Sequence, residues 1–167
     1  YRSVAATAVD AIDTTGVETA AADCSFTINI PAANGGEGGA ITILLDESEN
    51  SDPAEGANTI AIAQAGTSDA DKAADIIDAI NGTTNALVDF ASSGRGQAGV
   101  PGVTATQGSS DTQITLTMDT VLGTVGNITN AITTAAGVDI VDNRSFTGGV
   151  DSVGTNMILT SGSSDNI

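Results

Sequence analysis

The chain has 167 residues, 40% of them hydrophobic but only 2% aromatic, and its 21 acidic residues against four basic ones give a formal net charge of −17. So acidic a chain repels phosphate backbones, which excludes nucleic acid as the expected partner; no apolar run nears the roughly 20 residues that span a bilayer, so membrane insertion is not expected either. Histidine is absent and Cys24 is alone, which removes His-based catalysis, an internal disulfide, and any zinc, haem or iron–sulfur ligand set.

Residues 1–23, "YRSVAATAVDAIDTTGVETAAAD", are rich in Ala and Thr with weak periodicity. Val4, Ala8, Val9 and Ile12 share one helical face, which Thr14, Thr15 and Gly16 end. The segment reads as an N-terminal arm or linker. It lacks the basic start and continuous apolar stretch of a signal peptide, and a start at Tyr1 reads as processing or as a piece of something longer. "SFTINIP" then alternates Phe26, Ile28 and Ile30 with Thr27 and Asn29, a half-buried strand stopped by Pro31. "NGGEGG" is a turn and "AITILLD" (40–46) a second strand, so the two form a hairpin with a longer loop. After the acidic loop "ESENSDPAEGAN", "TIAIAQAG" (59–66) is a third strand.

"SDADKAADIIDAING" is the one clear helix. Ser68 is an N-cap with Asp71 three residues on, Ala73, Ile76, Ile77 and Ile80 fall at i, i+3, i+4 and i+7 as one apolar core face, and Asn81-Gly82 stops it. Asp71, Asp75 and Asp78 are expected in water. "ALVDFA" (86–91), "VTATQ" (103–107), "QITLTMD" (113–119), "ITNAIT" (128–133) and "GVDIVDN" (137–143) read as further strands, with the 103–119 pair a second hairpin about "GSSDT". "NMILT" in the tail is one more short strand. The expected fold class is therefore α+β, one mainly antiparallel β-sheet with an amphipathic helix covering a face. An arm (1–23), a domain (24–151) and a C-terminal strand or tail (152–167) complete the organisation; the tail is read as the start of a further repeat or as an inter-subunit contact. With so few aromatic side chains the core is thin, and neighbouring subunits are expected to supplement it.

The motifs argue against catalysis. Lys72, the chain's only lysine, sits among Asp69, Asp71 and Asp75 and reads as an exposed helix-surface ion pair with Asp75 or a cap neighbour rather than as a nucleophile. The Gly-rich runs 35–39 and 94–99 lack the order and the lysine of phosphate-binding loops. Asp46, Ser48, Asn50 and Asp52 alternate like the oxygen ligands of a calcium loop, but Ser51 stands where glycine is needed and Ala57 where a bidentate Glu is needed. An irregular calcium site on those four residues stays open beside the simpler reading, a solvated loop; no other cofactor is expected.

The runs "INIPAANGGEGGAITILLDE", "ADIIDAING", "GVTATQGSSDTQITLTMD", "GTVGN" and "FTGGVD", in that order, resemble a domain of structural proteins of tailed bacteriophages, particularly marine and cyanobacterial ones. Residues 70–118 are also similar to the "IN" motif of flagellin and hook-associated proteins, though the coiled-coil ends of those proteins are missing. Neither resemblance carries catalytic residues. The first implies a non-catalytic, self-assembling component of a virion, whether tail, fibre, neck or capsid decoration, in the virion or outside cells. Its partners would be copies of itself, other particle proteins and a possible cell-surface receptor. The alternatives are a secreted, flagellin-like surface filament module and a calcium-dependent adhesin module.

Overall fold

The computed structural model describes residues 2–20, 22–46, 58–63, 68–90, 98–137, 140–142 and 145–152. Eight strands and one helix follow the order β1 (Thr7–Asp13), β2 (Cys24–Asn29), β3 (Ala40–Asp46), β4 (Thr59–Ala63), α1 (Asp69–Asn81), β5 (Val88–Asp89), β6 (Val103–Gln107), β7 (Gln113–Met118) and β8 (Ile132–Ala136). The fold is α+β with β predominating. The strands divide into two sheets rather than forming one: three strands in the order β1-β7-β6 and five in the order β5-β4-β3-β2-β8.

The two hairpins follow from alternation. β2 and β3 pair antiparallel from Cys24 opposite Leu45 to Asn29 opposite Ala40, and β6 and β7 from Val103 opposite Met118 to Gln107 opposite Ile114. One pairing departs from hairpin logic: β3 and β4 run parallel, with Thr42 beside Thr59 and Asp46 beside Ala63. Registers place Phe26, Ile28, Ile43, Leu45, Ile60 and Ile62 on one face of the larger sheet. All six are buried, and they share a single hydrophobic core with Ile114, Leu116 and Met118 of β7 and with Ile76 and Ile80 of α1. On the opposite face Thr133, Thr27, Thr42 and Thr59 align in one row across four strands, and the Thr27 and Thr133 hydroxyls lie 2.6 Å apart. Fully burying each isoleucine contributes about 1.5–3 kcal/mol, which is how a core with so few aromatic rings is assembled.

Helix α1 packs against β6 and also against β4 and β5, so it joins the two sheets. Its N-terminus is a closed capping box: Ser68 Oγ accepts from the Asp71 N–H at 3.2 Å, and the Asp71 carboxylate accepts from the Ser68 N–H at 3.1 Å. Gly82, left-handed at φ 69°, ends it by donating to Asp78 O. Ala73, Ile76, Ala79 and Ile80 are buried and Ile77 is half-buried against the core. Just beyond the helix, Val100 N–H donates to Ile80 O at 2.8 Å; Gly99, at φ +60°, permits that approach because a Cβ there would stand 2.3 Å from the same carbonyl.

The expectation of an arm over 1–23 is corrected. Residues 7–13 are β1, paired antiparallel with β7 from Thr7 opposite Thr117 to Asp13 opposite Gln113, and Ala8, Ala11 and Ile12 are fully buried. The pairing shifts register between Ala8 and Ile12, where Asp10 takes a left-handed φ of 47°. This bulge breaks the two-residue period and leaves an i, i+4 spacing that reads as helical. The other strand expectations shorten. β4 is described over Thr59–Ala63, and residues 64–66 of the expected strand lie outside the described residues; the 86–91 strand reduces to β5, and β8 begins at Ile132 rather than residue 128. Over 137–143 the described residues hold only a single bridge, Val141 to Ile12. "NMILT" lies outside the described residues.

Candidate functional site

The most concentrated polar chemistry in the described residues surrounds Lys72. Its place in the first turns of α1 suggested exposure, yet its side chain is 0% exposed, running beneath the helix toward the end of β4. Nζ donates to Ala63 O at 2.6 Å and to Asp75 Oδ2 at 2.9 Å. Asp75 is therefore buried as well, not in water. Its second oxygen, Oδ1, accepts from Asn85 Nδ2 at 2.9 Å, and Asn85 Nδ2 also donates to Asp78 Oδ2 at 2.9 Å. Asn85 Oδ1 in turn accepts from the Leu87 N–H at 2.9 Å, and Leu87 O accepts from the Ala63 N–H at 2.9 Å. The charges are tolerable in the interior because each is paired and hydrogen-bonded. The network clamps α1 to the ends of β4 and β5. Asn85 was missed by sequence reading, since a lone Asn four residues past a helix stop carries no signal of its own.

Of the calcium candidates, Asp46 ends β3, is 4% exposed and stands beside Ala63; Ser48, Asn50 and Asp52 lie outside the described residues. Among the described residues no group of three or more His, Cys, Asp or Glu is placed to hold a metal ion. Cys24 is a buried free thiol within the core, its Sγ 3.7 Å from Ala22 O.

Elsewhere carboxylates tie distant segments together by accepting from neutral donors. Asp69, the first residue of α1, accepts from the N–H groups of Gly16 and Glu18, both at 2.8 Å, while buried Thr14 donates its hydroxyl to Asp69 O at 2.6 Å. Asp10, on the β1 bulge, accepts from the Ser109 N–H at 2.8 Å and hydroxyl at 2.7 Å, which fixes the β6–β7 turn. Asp151 does the same for Thr124, at 2.8 and 2.7 Å. The Ser109 hydroxyl and amide hold the Asp10 carboxyl below its usual range, and the Thr124 hydroxyl and amide do so for Asp151. The Ser68 amide and hydroxyl lower Asp71; burial pushes Asp13 upward, but hydrogen bonds from Thr15, Thr112 and Gln113 together outweigh it and the net shift is down.

Strand edges decide what the molecule can pair with. The far edge of β6 is occupied by the last helical residue: Asn81 Nδ2 donates to Ala105 O at 2.9 Å and Asn81 Oδ1 accepts from the Ala105 N–H at 2.8 Å, so one amide acts as a one-residue strand. The far edge of β1 is met by bridges from Thr147 to Thr7 and from Val141 to Ile12, and just before the strand Val150 bridges Val4. In the larger sheet β5 is only two residues long. β8 closes the other end of that sheet, and its sequence, ITTAA, holds no charged residue and no proline. Near the bridge between Val4 and Val150 both valines are about half exposed, at 51% and 53%.

What these arrangements do is fix strands and loops relative to one another. Comparison with protein-family models, with curated proteins and with solved structures finds no match to this chain.

Proposed function

We propose that this chain is a non-catalytic, self-assembling structural protein of a bacteriophage particle, located in the virion and partnered by copies of itself and other particle proteins. The phage half of the reading rests on the motif order described above. The assembly half rests on β8. Three of the four sheet edges are covered or very short, whereas β8 presents an uncharged, proline-free edge in a chain with 21 acidic residues. Proteins that must stay monomeric guard such edges with charge, proline or bulges. β8 has only one of these guards, a register shift opposite Ser25 and Phe26 at its C-terminal end, and its lack of charge and proline suits β-augmentation by a second copy, where main-chain bonds supply affinity; closed symmetric assembly then adds stability to a thin core.

The test is sedimentation of the purified chain beside Ala135→Lys. Ala135 is exposed on β8, so the substitution leaves the core intact. The wild type is expected to sediment as an oligomer and the variant as a folded monomer. Because added lysine lowers the net negative charge, weaker association cannot be assigned to extra repulsion. A monomeric wild type, or an oligomer that ignores the substitution, overturns the β8 interface. Immunogold electron microscopy of the source material separates the phage reading from a bare cellular filament.

A further inference from the structure

We propose that Lys72 and Asn85 join in an internal isopeptide bond, with Asp75 as the proton carrier, so that the mature chain holds a covalent cross-link between α1 and the segment entering β5. The inference is independent of where the protein assembles. The chain's only lysine is fully buried, and its Nζ stands 2.9 Å from Asp75 Oδ2. The other oxygen of the same carboxylate is 2.9 Å from Asn85 Nδ2. An amine nucleophile and the nitrogen of an amide leaving group thus share one carboxylate, the group able to move a proton from the first to the second. The Leu87 N–H already donates to Asn85 Oδ1 at 2.9 Å, the oxygen that becomes negative when the amide carbon is attacked. Water is excluded from Nζ, while Asn85 is half-buried and leaves a way out for a small product.

The chemistry balances without any further reagent. Asp75 takes one proton from the Lys72 ammonium. The neutral amine leaves Ala63 O, swings on its flexible stem to the attack distance of about 3–3.5 Å, and bonds to Asn85 Cγ. Negative charge collects on Oδ1 against the Leu87 N–H. The Cγ–Nδ2 bond then breaks as Asp75 returns its proton to Nδ2. The second Nζ proton passes through Asp75 to the departing ammonia, which leaves as ammonium. One C–N bond forms and one breaks, an ammonium is consumed and an ammonium is released, and nothing is oxidised. A bond from Lys72 to Asp75 itself, with loss of water, is the weaker competitor, because a carboxylate anion is a poor electrophile.

The experiment is intact mass spectrometry of the purified full chain, with tryptic digestion after denaturation. The expected mass is one ammonia below that of the sequence, and trypsin is expected to leave the peptide bond after Lys72 uncut, because an acylated lysine is not a trypsin site. Asn85→Ala and Asp75→Ala are expected to show their full masses and to be cleaved after Lys72. Succinimide formation at Asn34-Gly35 or Asn81-Gly82 loses the same mass but leaves Lys72 cleavable, and that pattern overturns the proposal. So does a wild type of full mass, or one lighter by water instead of ammonia. The wild-type measurements decide the matter even if a variant fails to fold.

Discussion

Asn81→Ala is the sharpest test of how the helix and the smaller sheet are held together. The substitution removes two hydrogen bonds, at 2.9 and 2.8 Å, that Asn81 makes to the backbone of Ala105, itself 2% exposed. Each bond contributes about 0.5–1.5 kcal/mol net, so the pair contributes about 1–3 kcal/mol. Alanine is the better helix former, which offsets a few tenths of that. For a chain of this length, 1 kcal/mol corresponds to a melting shift of about 2–4 °C, so the variant should melt roughly 1–11 °C below wild type. Urea unfolding should show a lower midpoint with an unchanged slope, since the exposed area is the same. Asn81→Asp keeps the acceptor for the Ala105 N–H but sets an oxygen against the Ala105 carbonyl and a negative charge at the helix C-terminus, and should cost at least as much as Asn81→Ala. Native-state hydrogen exchange gives the local readout: the Ala105 amide should exchange faster in Asn81→Ala than in wild type. A variant within 0.5 kcal/mol of wild type, with Ala105 still protected, would refute the claim that one side chain closes this strand edge.

Acid should loosen the loops before it unfolds the core. The carboxyls of Asp10, Asp13, Asp71 and Asp151 are all lowered in the folded chain. Their contribution is therefore fully present above the ordinary carboxylate range near 3.8 and is lost as pH falls through the depressed folded values. Melting temperature followed downward from pH 6 should hold to about pH 4 and then drop; a flat profile to pH 2 would sink the assignment. On the helix, Ile76→Ala, at a fully buried site, should cost about 2–5 kcal/mol by urea unfolding. Half-buried Ile77→Ala should cost less than about 2 kcal/mol, and equal losses would contradict the placement of the helical face.

What the sequence disclosed was local. Ser68, Asp71 and Gly82 bound the helix because capping chemistry is written in adjacent residues, and alternation in β2, β3, β6 and β7 announces two hairpins between strands that are neighbours in the chain. Long-range choices left no such trace. Nothing in "TIAIA" says that β4 lies parallel to β3, and nothing in either strand set says that two sheets form. β1 was hidden by its own bulge, since the left-handed Asp10 puts Ala8 and Ile12 at a helix-like spacing. Lys72 shows the same limit at the level of a side chain. Its pairing with Asp75 follows from an i, i+3 spacing, but its burial depends on Ala63 and Asn85 arriving from other elements. The candidate site was legible only as far as that pair.

The carboxylates that hold Ser109, Thr124, Gly16 and Glu18 accept from amides and hydroxyls, not from ammonium or guanidinium groups. Such contacts owe little to attraction between opposite charges, so an electrolyte that screens ion pairs leaves them standing. The same electrolyte relieves the mutual repulsion of a chain at −17. Added salt therefore relieves what strains the fold without weakening these fastenings, and the melting temperature is expected to rise with ionic strength.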